Sequence, residues 1–155
     1  HEQVLRVPLV ISAPGLPSGE SDAVVELVDI YPTVCELTGQ KIPDEVQGTS
    51  LLPLLNKTAD QVKPGALSFN SGFSLRTPDW HYMLYRDGSR ELYDMKADPG
   101  EFSNLVGKPH FALRLQQLDN VLQKRLKKFG IQQNNRATNQ QKSKSTQQNS
   151  DPSNK

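Results

Sequence analysis

Three groups of residues in this chain carry side chains capable of chemistry. Arg76, Trp80 and His81 gather around a tight turn, with Tyr82 and Tyr85 just beyond. An arginine fork holds a sulfate, phosphate or carboxylate through paired N–H donors, and an indole stacks on a sugar face. Arg76, Trp80 and His81 are therefore the candidate substrate-binding edge, suited to an anionic sugar. A plainer account competes with it. Arg76 would pair with a local carboxylate such as Asp79 or Glu91, and Trp80 would cap a small core.

The second group is acidic: Glu91, Asp94, Asp98 and Glu101. Their spacing matches no oxygen-ligand loop for calcium, and Pro99 stiffens the segment, so turn formation explains them better. Asp29 and Cys35 form the third group. Asp29 precedes a helical pattern, where a carboxylate accepts from the free N–H groups of the first turn. That role accounts for it without making it a base. Cys35, in Val34-Cys35-Glu36-Leu37, reads as a small buried hydrophobe with no basic neighbour to activate it. His1, His81 and His110 stand in no metal-ligand spacing. There is no Ser/His/Asp order and no glycine-rich phosphate loop. The chain itself supplies no catalytic residue and no metal ligand.

The elements that must position these residues fall into two lobes. Residues 7–12 (VPLVIS) form a short apolar run, a strand of the kind covered on both faces in an α/β sheet. A Pro/Gly/Ser loop follows, then a second extended piece at 23–28. With Asp29 as its cap, a helix runs through Ile30, Val34 and Leu37 to Gly39, and a short apolar helix covers 51–55. Residues 56–65, polar and ending in Pro64-Gly65, mark the boundary. Beyond it, strands are expected at 66–70, 73–76, 81–85 and 91–94, joined by turns at 77–79 and 86–88. That is an antiparallel meander. Residues 97–105 are irregular, with Asp98-Pro99-Gly100 as a turn. A last helix begins near Pro109, where Phe111, Leu115, Leu118, Leu122, Leu126 and Phe129 trace one apolar stripe that packs on the meander.

Composition limits the partners. Hydrophobic residues make up 35% of the chain, and after Ile131 there is no Val, Leu, Ile, Met or aromatic residue. Such a segment cannot bury enough apolar surface to offset its ordering entropy, so 131–155 reads as a disordered polar tail. The tail carries Arg136, Lys142, Lys144 and Lys155 against Asp151, while the whole chain is only +1. The ordered part is thus slightly acidic and is not a nucleic-acid binder by charge. No apolar run is long enough to span a membrane. A single cysteine excludes an internal disulfide.

Five separated segments resemble the C-terminal portion of type I, formylglycine-dependent sulfatases of the alkaline-phosphatase superfamily. Residues 6–15 resemble that family's R-V-P-L-I strand and P-G turn. Residues 28–39 resemble V-D-L-Y-P-T-L-x-x-L-A-G, and 48–55 resemble G-x-S-L-L-P-L-L. Residues 74–82 resemble S-x-R-T-x-x-Y-K-Y, and 91–105 resemble E-L-Y-D-L-x-x-D-P-x-E-x-x-N-L. They occur in order across 6–129, and the S-L-R-T hairpin is most similar to the iduronate-2-sulfatase-like branch.

The resemblance implies an α/β fold, the C-terminal part of an alkaline-phosphatase-like sulfatase, with a small antiparallel sheet and C-terminal helix as subdomain. On that basis 1–60 is the incomplete C-terminal edge of the catalytic α/β domain and 66–130 the small α+β subdomain. It also implies sulfate-ester hydrolysis on sulfated carbohydrate, with calcium and a formylglycine in the full-length enzyme and neither bound by this fragment. The formylglycine comes from a C/S-x-P-x-R motif, and Cys35-Glu36-Leu37-Thr38 does not match it. His1 and Glu2 align with the Phe and Glu that follow the family's active-site lysine, so the chemistry lies upstream of His1 and the fragment alone is inactive. The implied partners are the missing N-terminal catalytic portion and a sulfated substrate, with export to periplasm, lysosome or extracellular space. Two alternatives stand beside it: a phosphodiesterase or phosphonate hydrolase of the same superfamily, and a non-catalytic module binding anionic glycans.

Overall fold

The computed structural model describes residues 5–131. The polar tail beyond Ile131, and the positions of His1 and Glu2, lie outside the described residues. Among the described residues are two tight helical turns, at Leu27–Asp29 and Pro109–Phe111, with three helices and four strands: α1 (Ile30–Leu37), α2 (Leu52–Leu55), β1 (Ala66–Phe69), β2 (Gly72–Arg76), β3 (Trp80–Tyr85), β4 (Arg90–Asp94) and α3 (Ala112–Lys128). The strands form one antiparallel sheet in the order β1-β2-β3-β4, so the expected meander is present.

Side-chain alternation sorts the sheet into two faces. Leu75, Tyr82, Leu84 and Leu92 point to one side and meet Leu118, Leu122 and Leu126 of α3. Those three leucines recur at helical spacing, which is why a single stripe of α3 suffices to cover the sheet. On the opposite side Met83, Tyr93 and Met95 form a second, smaller cluster with Tyr85 against it. Gly72 permits the close passage of β2 and β3, since a Cβ there would lie 2.4 Å from the carbonyl oxygen of Leu84. α1 ends as the sequence predicts: Gly39 sits at φ +68, a left-handed position that glycine takes without strain.

Two expectations fail in the N-terminal segment. Residues 7–12 belong to no strand, and Val7 and Val10 are exposed, Val10 by 90%. A strand exists only through ladder bonds to a neighbour, and among the described residues no strand lies beside this run. The second extended piece at 23–28 is not a strand either; its end tightens into the turn at Leu27–Asp29.

Asp29 is also not the cap it was expected to be. It stands at the N-terminal boundary of α1 in helical geometry and makes no side-chain bond to that helix. Its carboxylate is fully buried and instead accepts from the backbone N–H of Glu26 at 2.7 Å and of Thr49 at 2.8 Å. The 26–29 turn precedes α1 directly, and this turns the carboxylate inward.

Candidate functional site

The candidate substrate edge is split by the sheet. Trp80 and His81 are neighbours in β3 and so point to opposite faces. Trp80 lies on the α3 side, half-buried against the main core, with the Phe111 ring 5.9 Å away and the Arg114 guanidinium 5.3 Å from its own ring. It thus caps the small core. His81 is directly opposite Arg76 in the β2–β3 register, which places those two on the other face. The Arg76 guanidinium donates to the carbonyl of Thr77. His81 is not a rim residue: its side chain is fully buried. The structure brings Arg76 and His81 together and separates both from Trp80.

What surrounds His81 was not legible in the sequence. Ser74 Oγ lies 2.6 Å from Nε2, and the Glu101 carboxylate contacts Nδ1. The bonding assigns one tautomer, in which Nδ1–H donates to Glu101 and the Ser74 hydroxyl donates to Nε2. Glu101 reaches this position from a left-handed backbone (φ +59), rare for a residue with a Cβ. Desolvation dominates the imidazole and lowers its pKa; the hydrogen bond to the Glu101 carboxylate opposes that without overturning it.

Ser, His and Glu in this order match the connectivity of an acyl-transfer triad, yet the setting does not support nucleophilic attack. Ser74 sits within a central strand whose backbone is paired on both sides, which leaves no free N–H pair to stabilise an oxyanion. The chemistry available here is fixation. The trio ties β2 and β3 to the loop carrying Glu101 without burying an unpaired polar atom.

Of the acidic residues, Asp94 and Asp98 are the turn formers, while Glu91 lies in β4 and Glu101 is buried against His81. Asp94 Oδ1 accepts from the N–H groups of Lys96 at 2.9 Å and Ala97 at 3.1 Å. Asp98 accepts from Phe102 at 3.1 Å and Ser103 at 2.8 Å, and Glu91 from the Tyr93 hydroxyl at 3.1 Å. Among the described residues no group of three His, Cys, Asp or Glu side chains is placed to hold a metal ion. Cys35 is buried on α1.

A four-stranded antiparallel meander backed by one long helix, joined to a short helical segment, is the arrangement the described residues form. The family model described as "N-sulphoglucosamine sulphohydrolase, C-terminal" matches residues 1–130, and the chain belongs to this family of sulfatase C-terminal domains. Human arylsulfatase K is 36% identical over 136 residues, covering 76% of this chain and 25% of the relative. An N-acetylglucosamine-6-O-sulfatase of Bacteroides thetaiotaomicron is 32% identical over 146 residues, covering 83% of this chain and 26% of the relative. The chain therefore spans about a quarter of the length of these relatives. Among solved structures, the phosphonate monoester hydrolase of Silicibacter pomeroyi superposes with a TM-score of 0.63 at 24% identity, covering 76% of this chain and 28% of that one. The fold is accordingly α/β, the C-terminal part of an alkaline-phosphatase-like sulfatase fold.

Proposed function

We propose that this chain is the C-terminal part of a sulfatase that hydrolyses sulfate esters of sulfated carbohydrates, with the catalytic residues supplied from upstream of His1. The observation that carries the reading is the match of residues 1–130 to a sulfatase C-terminal domain in a chain covering only 25% of human arylsulfatase K. The Bacteroides relative, an N-acetylglucosamine-6-O-sulfatase, supports a sulfated sugar as the substrate class. The S-L-R-T hairpin at 74–77 supports the narrower, iduronate-2-sulfatase-like branch.

Calcium and formylglycine are the groups such an enzyme would use, and the residues described here fit neither. The carboxylates of Asp94 and Asp98 are occupied by backbone N–H donors, and Glu101 by His81. Cys35 lacks the proline and arginine of the precursor motif and is buried. Both groups belong to the upstream portion, and the fragment alone is inactive. Exposed Val7, Val10, Leu27, Val28, Tyr31 and Val34 support a docking face for that portion. Export of the whole enzyme is part of the same proposal. Among the described residues no helix is long and apolar enough to cross a membrane.

The test is to read the coding sequence upstream of His1 and assay both products. A C/S-x-P-x-R motif, a lysine a few residues before His1, and sulfate release from a sulfated sugar by the longer polypeptide but not by this chain are the expected results. The likeness in shape to a phosphonate monoester hydrolase favours one rival, a phosphonate or phosphodiester hydrolase. It predicts extra His and Asp ligands upstream in place of that motif. A start codon directly before His1, with salt-sensitive glycan binding, would replace both readings by a binding module.

A further inference from the structure

The N-terminal helices and the sheet are joined through buried charge. Both apolar clusters among the described residues are built from side chains at or beyond Leu67, so neither extends into the N-terminal segment. The junction is instead made by Glu26, Asp29, Lys63 and Arg125. Lys63 Nζ lies 2.6 Å from Glu26 Oε2 and also contacts the Asp29 carboxylate. Arg125, near the end of α3, places one guanidinium nitrogen 2.8 Å from the same Glu26 oxygen and donates through the other to the Gly65 carbonyl at 2.5 Å. The second Glu26 oxygen accepts from the N–H of Leu67 at 2.6 Å, closing a donor on the outer edge of β1. The side chains are 9%, 0%, 6% and 16% exposed for Glu26, Asp29, Lys63 and Arg125.

Two carboxylates and two cations make the group neutral, and every oxygen of the two carboxylates has a donor. Exchanging such a buried network for apolar packing often costs no stability, so what it contributes best is a specified arrangement. Directional bonds drawn from several places in the chain (the 26–29 turn, the 48–51 loop through Asp29, the linker at 63–65, the start of β1 and α3) leave one relative orientation in which all are made. Apolar contact alone would allow sliding.

We propose that Lys63 and Arg125, acting through Glu26 and Asp29, are positioning residues that lock the sheet and α3 onto the N-terminal helices in one orientation. Resting on the sulfatase reading above, the lock fixes how this subdomain is oriented on the rest of the enzyme. The variants are Lys63→Met, the milder Glu26→Gln, which keeps an acceptor for Leu67, and Lys63→Arg as rescue.

Two single-copy reporters flank the lock: Cys35 in α1 and Trp80 in β3. In this chain, urea unfolding followed by Cys35 thiol labelling and by Trp80 fluorescence is expected to coincide. Lys63→Met and Glu26→Gln separate the two transitions, with Cys35 exposed first, and Lys63→Arg rejoins them. In the polypeptide extended upstream, both substitutions raise KM for sulfated glucosamine about tenfold and change kcat by less than about twofold, and Lys63→Arg restores KM. Transitions that stay coincident in both variants, or both reporters lost together, overturn the proposal, as does a fall in kcat at unchanged KM. An extended wild-type polypeptide without sulfatase activity would count against the sulfatase reading, while the two reporters still decide the lock.

Discussion

Tyr82 offers a quantitative test of how α3 is held to the sheet. Its ring is fully buried in the main core, and its hydroxyl donates to Asp119 Oδ1 at 2.8 Å. Burial raises the phenol well above the usual tyrosine range, and the bond to Asp119 raises it further, so the hydroxyl remains a donor throughout the neutral range. Tyr82→Phe removes one oxygen and keeps the ring packing, which leaves no cavity of consequence. A hydrogen bond to a charged acceptor contributes about 1.5–3 kcal/mol. Asp119 is only half-buried, so water compensates part of the loss and the expected cost is about 1.5 kcal/mol. Urea unfolding followed by Trp80 fluorescence should show a lower midpoint at unchanged slope. Asp119→Asn closes a double-mutant cycle, whose coupling should reach about 1 kcal/mol. Additive substitutions, or Tyr82→Phe within about 0.3 kcal/mol of wild type, would refute the view that this bond fastens the helix.

Other outcomes follow from the same structure. Leu122 is fully buried between α3 and the sheet, so Leu122→Ala should cost about 2–5 kcal/mol in the same denaturation assay; a cost under about 1 kcal/mol would mean the stripe does not form the core. His81 has its pKa lowered from 6.5 by burial, so the unfolded chain binds its proton first as pH falls. Its contribution is therefore complete above pH 6.5 and declines as pH drops toward the lower folded value. His81→Asn should flatten the stability–pH curve over that window, and an unchanged slope would show that another group governs it. Burial and the bond to Glu91 push the Tyr93 phenol up to about 12. In a spectrophotometric titration at least one tyrosine should thus resist ionisation until near pH 12, and complete ionisation by pH 10.5 would contradict its buried placement.

Local order was legible wherever neighbouring residues determine it. The period-two strands with their turns at 77–79 and 86–88, the leucine stripe of α3 and the stop at Gly39 depend on sterics and hydrogen bonds within a few residues, and each lies where the pattern places it. Residues 7–12 show the limit of that logic. An apolar run encodes readiness to be a strand, but the ladder bonds must come from elsewhere, and the described residues hold no partner for it.

The family was also readable from linear motifs, above all 28–39 and 91–105. The side chains around the candidate site were not. Alternation along β3 alone predicts that Trp80 and His81 diverge, but the burial of His81 depends on Glu101 arriving from twenty residues away. Nothing in the local sequence pairs Lys63 or Arg125 with Glu26, yet they meet it in the interior across 37 and 99 residues of chain. The sequence by itself determined the helix of residues 30–37, the four strands of the meander with their turns, and the long C-terminal helix, since those preferences are settled within a turn or a pleat. Only the tertiary structure decided which charges are buried, because burying a charge requires a partner in space and spatial partners leave no local trace.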